Sequence, residues 1–307
     1  MSAMVRPAFA KRPLRTIPLA AFLLILAPAV SALPSATDAL GREVSLPAPA
    51  RRVVSLSPAA TEILFAIGAG DRVVGVTEYC DFPAEARGRP KVGGFSGATV
   101  SVERIVALEP DLVVVSGEMH GRVVTLLDAV GLRSFALEPR TFAEVYADIL
   151  TLGRLTGREE ASAAVVRSMR GRIEAVAAAA AGGAKSRVFW ELWHDPLMSA
   201  GGPTFITEAI AAAGGVNVFG DLRERWPRVS FEELLVRDPD WILIGDGSKG
   251  GQAEAARKRP AWASLRAVRA GRVAGVEADI VDRGGPRLAD AVEAIARILR
   301  ADEGAKR

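Results

Sequence analysis

Continuous apolar runs recur along this chain, and each follows a segment with the polar signals of a helix. Residues 112–115 read Leu-Val-Val-Val and residues 241–244 read Trp-Ile-Leu-Ile. Such runs are typical of strands buried on both faces. Before each lie a serine, an acidic first turn and a Pro-Asp turn, which together predict a short N-capped helix. Strands alternating with helices predict an α/β fold with parallel sheets and helices on both faces.

The pattern occurs twice with the same internal spacing. Residues 100–115 read VSVERIVALEPDLVVV and residues 229–244 read VSFEELLVRDPDWILI, so the two segments align without a gap. A second matched pair begins with Thr-Glu at residues 61 and 207. Each half therefore reads strand, helix, strand, aromatic-bearing loop, helix, strand. This internal duplication predicts two pseudo-symmetric lobes; chance similarity between α/β segments is the alternative.

A helical connector separates the two halves. Thr141 and Glu144 form a capping box that opens one helix, and residues 158–181 predict a second helix roughly 35 Å long. A single long helix is a stiff linker between lobes. We therefore expect the lobes to move little relative to each other when a ligand binds.

Residues 1–32 have the features of an export signal. Four basic side chains within residues 6–15 precede an apolar run at residues 17–30, and Val-Ser-Ala at residues 30–32 suits a signal peptidase. A spanning helix needs about 20 apolar residues, so the pattern favours a removable signal over a membrane anchor. The single cysteine, Cys80, is far from this site, so no lipid anchor is expected. The sequence predicts a soluble periplasmic protein after cleavage.

Removal of the export signal changes the net charge of the protein. The formal net charge of +3 comes from 39 basic and 36 acidic residues, and removing the four basic residues of the signal leaves 35 against 36. The high isoelectric point therefore gives no argument for a nucleic-acid partner. The predicted organisation is a signal peptide, an N-terminal lobe, a helical connector and a C-terminal lobe: residues 1–32, 33–140, 141–183 and 184–307.

Four aromatic side chains fall in loops that follow predicted strands: Tyr79, Phe95, Trp193 and Trp226. Ligands of open α/β sheets bind beyond the carboxyl ends of the strands, so two facing lobes would form a cleft lined by these loops. Aromatic residues make up only 6% of the chain. Their occurrence in these loops favours a large, flat, partly apolar ligand, although each ring could instead pack on its own lobe.

Motifs for catalysis are absent from the sequence. It contains no nucleophile elbow, phosphate-binding loop or dinucleotide fingerprint, so we expect neither an enzyme nor a resident cofactor. Two histidines, His120 and His194, and one cysteine are too few for a zinc or manganese capture site. Tyr79 or either histidine could still be an axial ligand of haem iron.

The chain resembles the periplasmic vitamin B12-binding proteins, within the wider group of iron-siderophore, haem and cobalamin binders. The resemblance covers roughly residues 51–299. It is carried by residues 54–62 (VSLSPAATE), residues 103–113 (ERIVALEPDLV) and residues 226–230 (WPRVS). The first two segments are typical of the wider group. The third, together with Tyr79, is more particular to the cobalamin branch.

The resemblance implies roles for individual residues. Tyr79 and Trp226 match aromatic residues that contact the corrin from opposite lobes, and Phe95 stands where the family often has tryptophan. Asp279 matches an acid that accepts hydrogen bonds from amides at the edge of the ligand. Ser116, at a position that can carry a further tryptophan, departs from the family pattern. So does the loop at residues 193–196.

The resemblance also implies partners. Glu103 and Glu232 look like the two glutamates, one per lobe, that dock on arginine pockets of the permease subunits. The helix macrodipole alone would also favour an acid at these positions, whereas a pseudo-symmetric pair suits a symmetric partner. The sequence thus predicts a monomer that delivers a corrinoid to an ABC permease dimer. A haem or ferric-siderophore binder, or a periplasmic tetrapyrrole-processing enzyme, is the alternative.

Overall fold

The computed structural model of this protein describes Met1, residues 33–247 and residues 251–301. Apart from Met1, the predicted signal peptide lies outside the described residues. The described residues from Leu33 onward form one compact unit. Among the residues that the structure describes, no helix is both long and apolar enough to cross a membrane.

The strands are short and distributed over the whole described chain. In chain order they are β1 (Ser35–Thr37), β2 (Glu43–Ser45), β3 (Val53–Ser55), β4 (Val73–Val76), β5 (Leu112–Ser116), β6 (Ser134–Leu137), β7 (Ser186–Glu191), β8 (Trp193–His194), β9 (Leu197–Met198), β10 (Gly215–Asn217), β11 (Trp241–Asp246) and β12 (Val273–Glu277).

The α-helices lie between these strands, with the two longest in the middle of the chain. They are α1 (Pro58–Ala66), α2 (Val102–Ala107), α3 (Gly121–Ala129), α4 (Phe142–Leu155), α5 (Glu159–Ala180), α6 (Phe205–Ala212), α7 (Phe231–Arg237), α8 (Gln252–Arg257), α9 (Arg266–Arg269), α10 (Ala278–Val281) and α11 (Leu288–Arg300).

Two four-stranded parallel sheets share one topology. The N-terminal sheet has the order β4-β3-β5-β6 and the C-terminal sheet the order β10-β7-β11-β12, so each strand of one sheet has an equivalent in the other. We call each sheet with its helices a lobe. Two antiparallel hairpins, β1–β2 and β8–β9, complete the strands. The predicted α/β fold with two pseudo-symmetric parallel sheets is confirmed.

The end of β10 differs from the prediction. The sequence predicts a strand at residues 216–219, which read Val-Asn-Val-Phe, but the strand ends at Asn217. The Asn217 side chain accepts a hydrogen bond from the Phe219 N–H at 3.1 Å and donates to the Ala200 carbonyl at 2.8 Å. The Val218 N–H still pairs with the Val188 carbonyl of β7 at 2.8 Å. The side-chain bonds of Asn217 turn the chain at this point, so Val218 and Phe219 enter the core from a turn.

The inner faces of both sheets share one apolar core. In β11, Trp241 and Leu243 face this shared core, whereas Ile242 and Ile244 face a separate cluster on the outer side of the C-terminal lobe. Strand β5 alternates in the same way. The shared core includes buried side chains of α1, α4, α5, α6 and α11, so apolar packing is continuous from one lobe to the other.

Helix α5 is the long connector that joins the lobes. Its 22 residues give a length of about 33 Å, and its bounds lie within one residue of the prediction. It packs against α4, α6 and α11. Arg172 on α5 forms ion pairs with Asp290 and Glu293 on α11, which fasten the connector to the C-terminal lobe.

Candidate ligand-binding cleft

A cavity of about 900 Å³ lies between the loops of the two lobes. All five residues that the sequence proposes as ligand contacts line it. Two come from the N-terminal lobe and three from the C-terminal lobe: Tyr79 and Phe95, then Trp193, Trp226 and Asp279. The chain segments that carry them are widely separated in the sequence, so the fold alone brings these side chains to one cavity.

Two aromatic rings form the N-terminal wall. The rings of Tyr79 and Phe95 pack edge to face, with centroids 5.7 Å apart. Tyr79 is 55% exposed and Phe95 is 38% exposed, which is high for aromatic side chains. Because each ring supports the other rather than a core, both retain an open face towards the cavity.

His120 supports this wall from behind. Its ring is fully buried, and Nδ1 accepts a hydrogen bond from the Ser116 N–H at 3.0 Å. The other nitrogen, Nε2, therefore carries the proton and donates to the Phe95 carbonyl at 3.0 Å. Burial lowers the pKa of His120, which favours this neutral form. With both nitrogens engaged, His120 positions the Phe95 loop and does not serve as an axial ligand of haem.

The C-terminal wall carries two tryptophans in different settings. Trp193, in the β8–β9 hairpin, is 55% exposed and donates from Nε1 to the Asp195 carbonyl at 2.8 Å. Trp226 is half-buried against the shared core, and the Arg225 guanidinium lies 5.5 Å from its ring centroid. His194 is exposed beside Trp193 but does not line the cavity.

An arginine holds Asp279 in the wall of the cleft. Oδ1 of Asp279 accepts a hydrogen bond from Arg283 at 2.7 Å, and the Asp279 side chain remains 41% exposed. The same guanidinium contacts Glu62 at 2.9 Å and Asp81 at 3.0 Å, both in the N-terminal lobe. Asp279 is therefore fixed in place, with its second oxygen available to a donor on a ligand.

Glu62 is the buried centre of an ion-pair cluster between the lobes. Its side chain is only 2% exposed, and it also contacts Arg287 at 2.7 Å. The Arg287 guanidinium in turn lies 4.0 Å from the centroid of the Phe82 ring. We call Glu62, Arg283 and Arg287 the clasp. It joins α1 of the N-terminal lobe to the segment between α10 and α11.

Two further carboxyl groups line the cavity with unusual pKa values. Burial, assisted by the Glu144 and Glu138 carboxylates, raises the pKa of Asp148 to about 7. Loss of hydration, assisted by Asp279, also raises the pKa of Asp282, but this side chain is exposed to solvent, which limits the effect. The charge of the cleft at Asp148 therefore changes near neutral pH.

Sequence reasoning missed several residues of the cavity wall. They include Met119, Glu138, Asp148, Phe205, Arg225 and Arg283. The strand-end rule does place Met119, Arg225 and Arg283 in loops at the predicted cleft, but the sequence did not single them out as ligand contacts. Asp148 lies inside α4, and Phe205 begins α6. For these two, no local signal indicates a position beside the cleft.

The predicted docking glutamates lie away from the cavity. Glu103 and Glu232 are exposed in the first turns of α2 and α7. Hydrogen bonds from its own backbone N–H and from the Ser101 hydroxyl lower the pKa of Glu103. Neither glutamate forms an ion pair with any residue that the structure describes. Both carboxylates are therefore free to meet a partner.

Comparison with known proteins identifies the family. A family model described as periplasmic binding protein matches residues 53–280. The chain belongs to the periplasmic binding protein family. As a periplasmic binding protein, it is a component of transport and not an enzyme.

Two relatives of this periplasmic binding protein differ in whether their names state a ligand. It is 32% identical to the uncharacterized ABC transporter substrate-binding lipoprotein YvrC of Bacillus subtilis, over 86% of this chain and 85% of that protein. It is 31% identical to the vitamin B12-binding protein of Vibrio cholerae, over 83% and 91%.

Solved structures of two ligand classes share its fold. The periplasmic vitamin B12 binding protein BtuF of Vibrio cholerae aligns with a TM-score of 0.70 and 29% identity, over 83% of this chain and 98% of that one. The periplasmic haem-binding protein BhuT, in complex with two haems, aligns with a TM-score of 0.71 and 28% identity, over 81% and 97%.

Proposed function

We propose that this periplasmic binding protein captures a corrinoid, cobalamin, in the cleft and delivers it to the permease dimer of an ABC importer. The observation that carries this proposal is the placement of aromatic rings from both lobes on one cavity. Tyr79 and Phe95 contribute from one lobe, and Trp193 and Trp226 from the other. This arrangement suits a broad ligand with two apolar faces and a polar edge.

The burial of such a ligand would supply enough free energy for tight capture. Covering several hundred Å² of apolar surface contributes on the order of 10 kcal/mol before the cost of association. Asp279 and the neighbouring Arg283 would meet the polar edge, where the amide groups of a corrinoid offer both donors and acceptors. No covalent bond to the ligand is required.

The named relatives support a ligand of this group. A vitamin B12-binding protein is similar over 91% of its own length. The haem-binding neighbour supports a second candidate, haem. The exposed phenol of Tyr79 favours that candidate, because a tyrosine oxygen is a known axial ligand of haem iron.

We also infer that the mature protein is soluble in the periplasm. The basic and apolar pattern of residues 1–32 supports export. Cys80, the single cysteine of the sequence, is fully buried, with Sγ 3.2 Å from the Thr77 hydroxyl. It belongs to the core of the N-terminal lobe and is not a position for a lipid anchor.

Titration of the mature protein with candidate ligands tests which of them it binds. Cyanocobalamin, haemin and a ferric hydroxamate are compared by calorimetry and by quenching of tryptophan fluorescence. We expect one cyanocobalamin per protein, with quenching. If haemin or the ferric hydroxamate binds and cyanocobalamin does not, that ligand replaces the corrinoid in the proposed function. An altered absorption spectrum of released cyanocobalamin would contradict a purely binding role.

Trp226→Ala is expected to weaken cyanocobalamin binding by more than about 30-fold, because a large aromatic face at the centre of a contact is typical of a binding hot spot. Calorimetry measures this loss. The control is Leu126→Ala, which shortens a 44% exposed apolar side chain on α3, outside the cavity. Equal affinities of the two variants would remove Trp226 from the site.

A further inference from the structure

The helices that carry Glu103 and Glu232 are built in the same way. In the gap-free alignment of the two halves, α2 and α7 are equivalent. Each buries a single side chain, Ile105 in α2 and Leu234 in α7, and these two positions are also equivalent. A serine hydroxyl caps each helix by accepting from the N–H three residues later, at 3.2 and 3.0 Å. The two helices therefore present the same face to solvent.

Their far ends are also held alike. Nη2 of Arg52 donates to the Leu108 carbonyl at 2.6 Å, and Nη2 of Arg187 donates to the Arg237 carbonyl at 2.6 Å. Arg52 immediately precedes β3, and Arg187 is the second residue of the equivalent strand β7. The residue after each of these carbonyls has a left-handed backbone, with φ of 44° and 34°: Glu109 and Asp238. Both helices are thus rigid platforms of the same geometry.

Each platform presents an exposed aliphatic side chain beside its glutamate. Val106 is 43% exposed and Leu235 is 37% exposed. They stand three residues after Glu103 and Glu232, hence on the same helix face. Single exposed aliphatic residues are ordinary, but these two occupy equivalent positions.

Of the other outward positions of the two helices, one is apolar in both, at Ala107 and Val236, and another has changed its charge. Arg104 of α2 is equivalent to Glu233 of α7, so the charge is reversed. Inheritance from a common repeat therefore does not by itself explain why an acid and an aliphatic residue recur together. A requirement shared by both lobes explains it, and a partner with two equivalent subunits would impose such a requirement.

We propose that Val106 and Leu235 form the apolar half of a two-part docking contact, one per lobe, with the permease dimer. The proposal rests on the proposed function, in which Glu103 and Glu232 dock. Each permease subunit would offer a cationic pocket bordered by apolar surface. The glutamates would orient the encounter, and their ion pairs with the permease would weaken as the salt concentration rises. The aliphatic contacts would persist at high salt because they depend on the burial of apolar surface.

The test compares V106S/L235S with a matched control, V130S/V216S. The control residues are also exposed aliphatics, 52% and 43%, one in each lobe, and lie outside α2 and α7. Binding to the permease–ATPase complex of the same organism, reconstituted in nanodiscs, is measured by surface plasmon resonance at low and high salt. We expect V106S/L235S to bind about 10-fold more weakly at both salt concentrations, and the control to bind as the wild type.

E103A/E232A separates failure of this inference from failure of the proposed docking. We expect E103A/E232A to weaken binding to the permease mainly at low salt. Both E103A/E232A and V106S/L235S should leave the affinity for cyanocobalamin unchanged. If only E103A/E232A weakens docking, the aliphatic contact is overturned and the proposed function stands. If neither variant weakens docking, the assignment of this face is overturned, whereas cyanocobalamin affinity tests the cleft independently.

Discussion

At the scale of single residues, Asp148 is the side chain whose surroundings most alter its chemistry. Its Oδ2 atom is buried without a hydrogen-bond donor among the described residues. The Glu138 and Glu144 carboxylates add to the effect of burial and raise its pKa to about 7. The folded protein therefore binds a proton that the unfolded chain releases at a pH of about 4. Stability from this group is complete below pH 4 and is lost as the pH rises through 7.

Asp148→Asn should remove this loss of stability at rising pH, because asparagine does not titrate. The free energy of unfolding of the variant, relative to the wild type, should rise between pH 5 and pH 8, by at most about 4 kcal/mol because a shift of one pKa unit corresponds to about 1.4 kcal/mol. Urea denaturation at both pH values measures it. Glu85→Gln, at an exposed carboxylate, is the control. A difference that does not change with pH would show that Asp148 titrates normally.

At the scale of elements, the end of β7 shows how a strand is tied to its neighbouring segment. Glu191, 4% exposed, accepts two hydrogen bonds from Arg259 at 2.7 and 2.8 Å. The Arg259 guanidinium also lies 4.3 Å from the centroid of the Trp262 ring. This pair holds the turn at Pro260–Ser264 against the C-terminal sheet. Planar, two-point pairing of this kind requires arginine rather than lysine.

Arg259→Ala should lower the free energy of unfolding by about 3–5 kcal/mol, because it leaves the Glu191 carboxylate buried and unpaired. Urea denaturation measures the loss. In the double variant E191Q/R259A the buried charge is absent, so part of the stability should return. A double variant less stable than R259A would show that the cost arises from packing of the arginine and not from the isolated carboxylate.

At the scale of the whole molecule, three connections join the lobes: the shared apolar core, helix α5 and the clasp. They involve several elements of both lobes, so the lobes are joined at more than one place. The expectation that the lobes move little on ligand binding stays a prediction, and these connections support it. Arg225 adds a fourth link, because it contacts Glu138 across the cleft at 2.9 Å.

Glu62→Ala should destabilise the protein by about 3 kcal/mol, since Arg283 and Arg287 lose their buried partner. This loss of stability should lie at the lower end of the range for broken buried ion pairs, because both arginines keep other carboxylates nearby. Thermal or urea denaturation measures it, and Glu85→Ala, at the surface, should change stability by less than about 0.5 kcal/mol. Equal effects of the two variants would mean that the clasp does not hold the lobes together.

Much of the architecture follows from local pattern. The gap-free match of residues 100–115 with 229–244 identifies equivalent helices and strands because apolar periodicity and capping act over a few residues. The same reasoning places Tyr79, Phe95, Trp193 and Trp226 in strand-end loops, and all four line the cavity. Their contact with a ligand and the docking role of Glu103 and Glu232 remain predictions.

Only the tertiary structure decided how distant segments combine. Arg287 meets Glu62 across 225 positions of sequence, and no local signal specifies such a partner. His120, which the sequence left open as an iron ligand, is instead buried with both nitrogens engaged. Asp148 acquires its raised pKa from burial that the whole fold creates. Short-range forces select helices and strands, whereas hydration, burial and pairing depend on which surfaces the folded chain brings together.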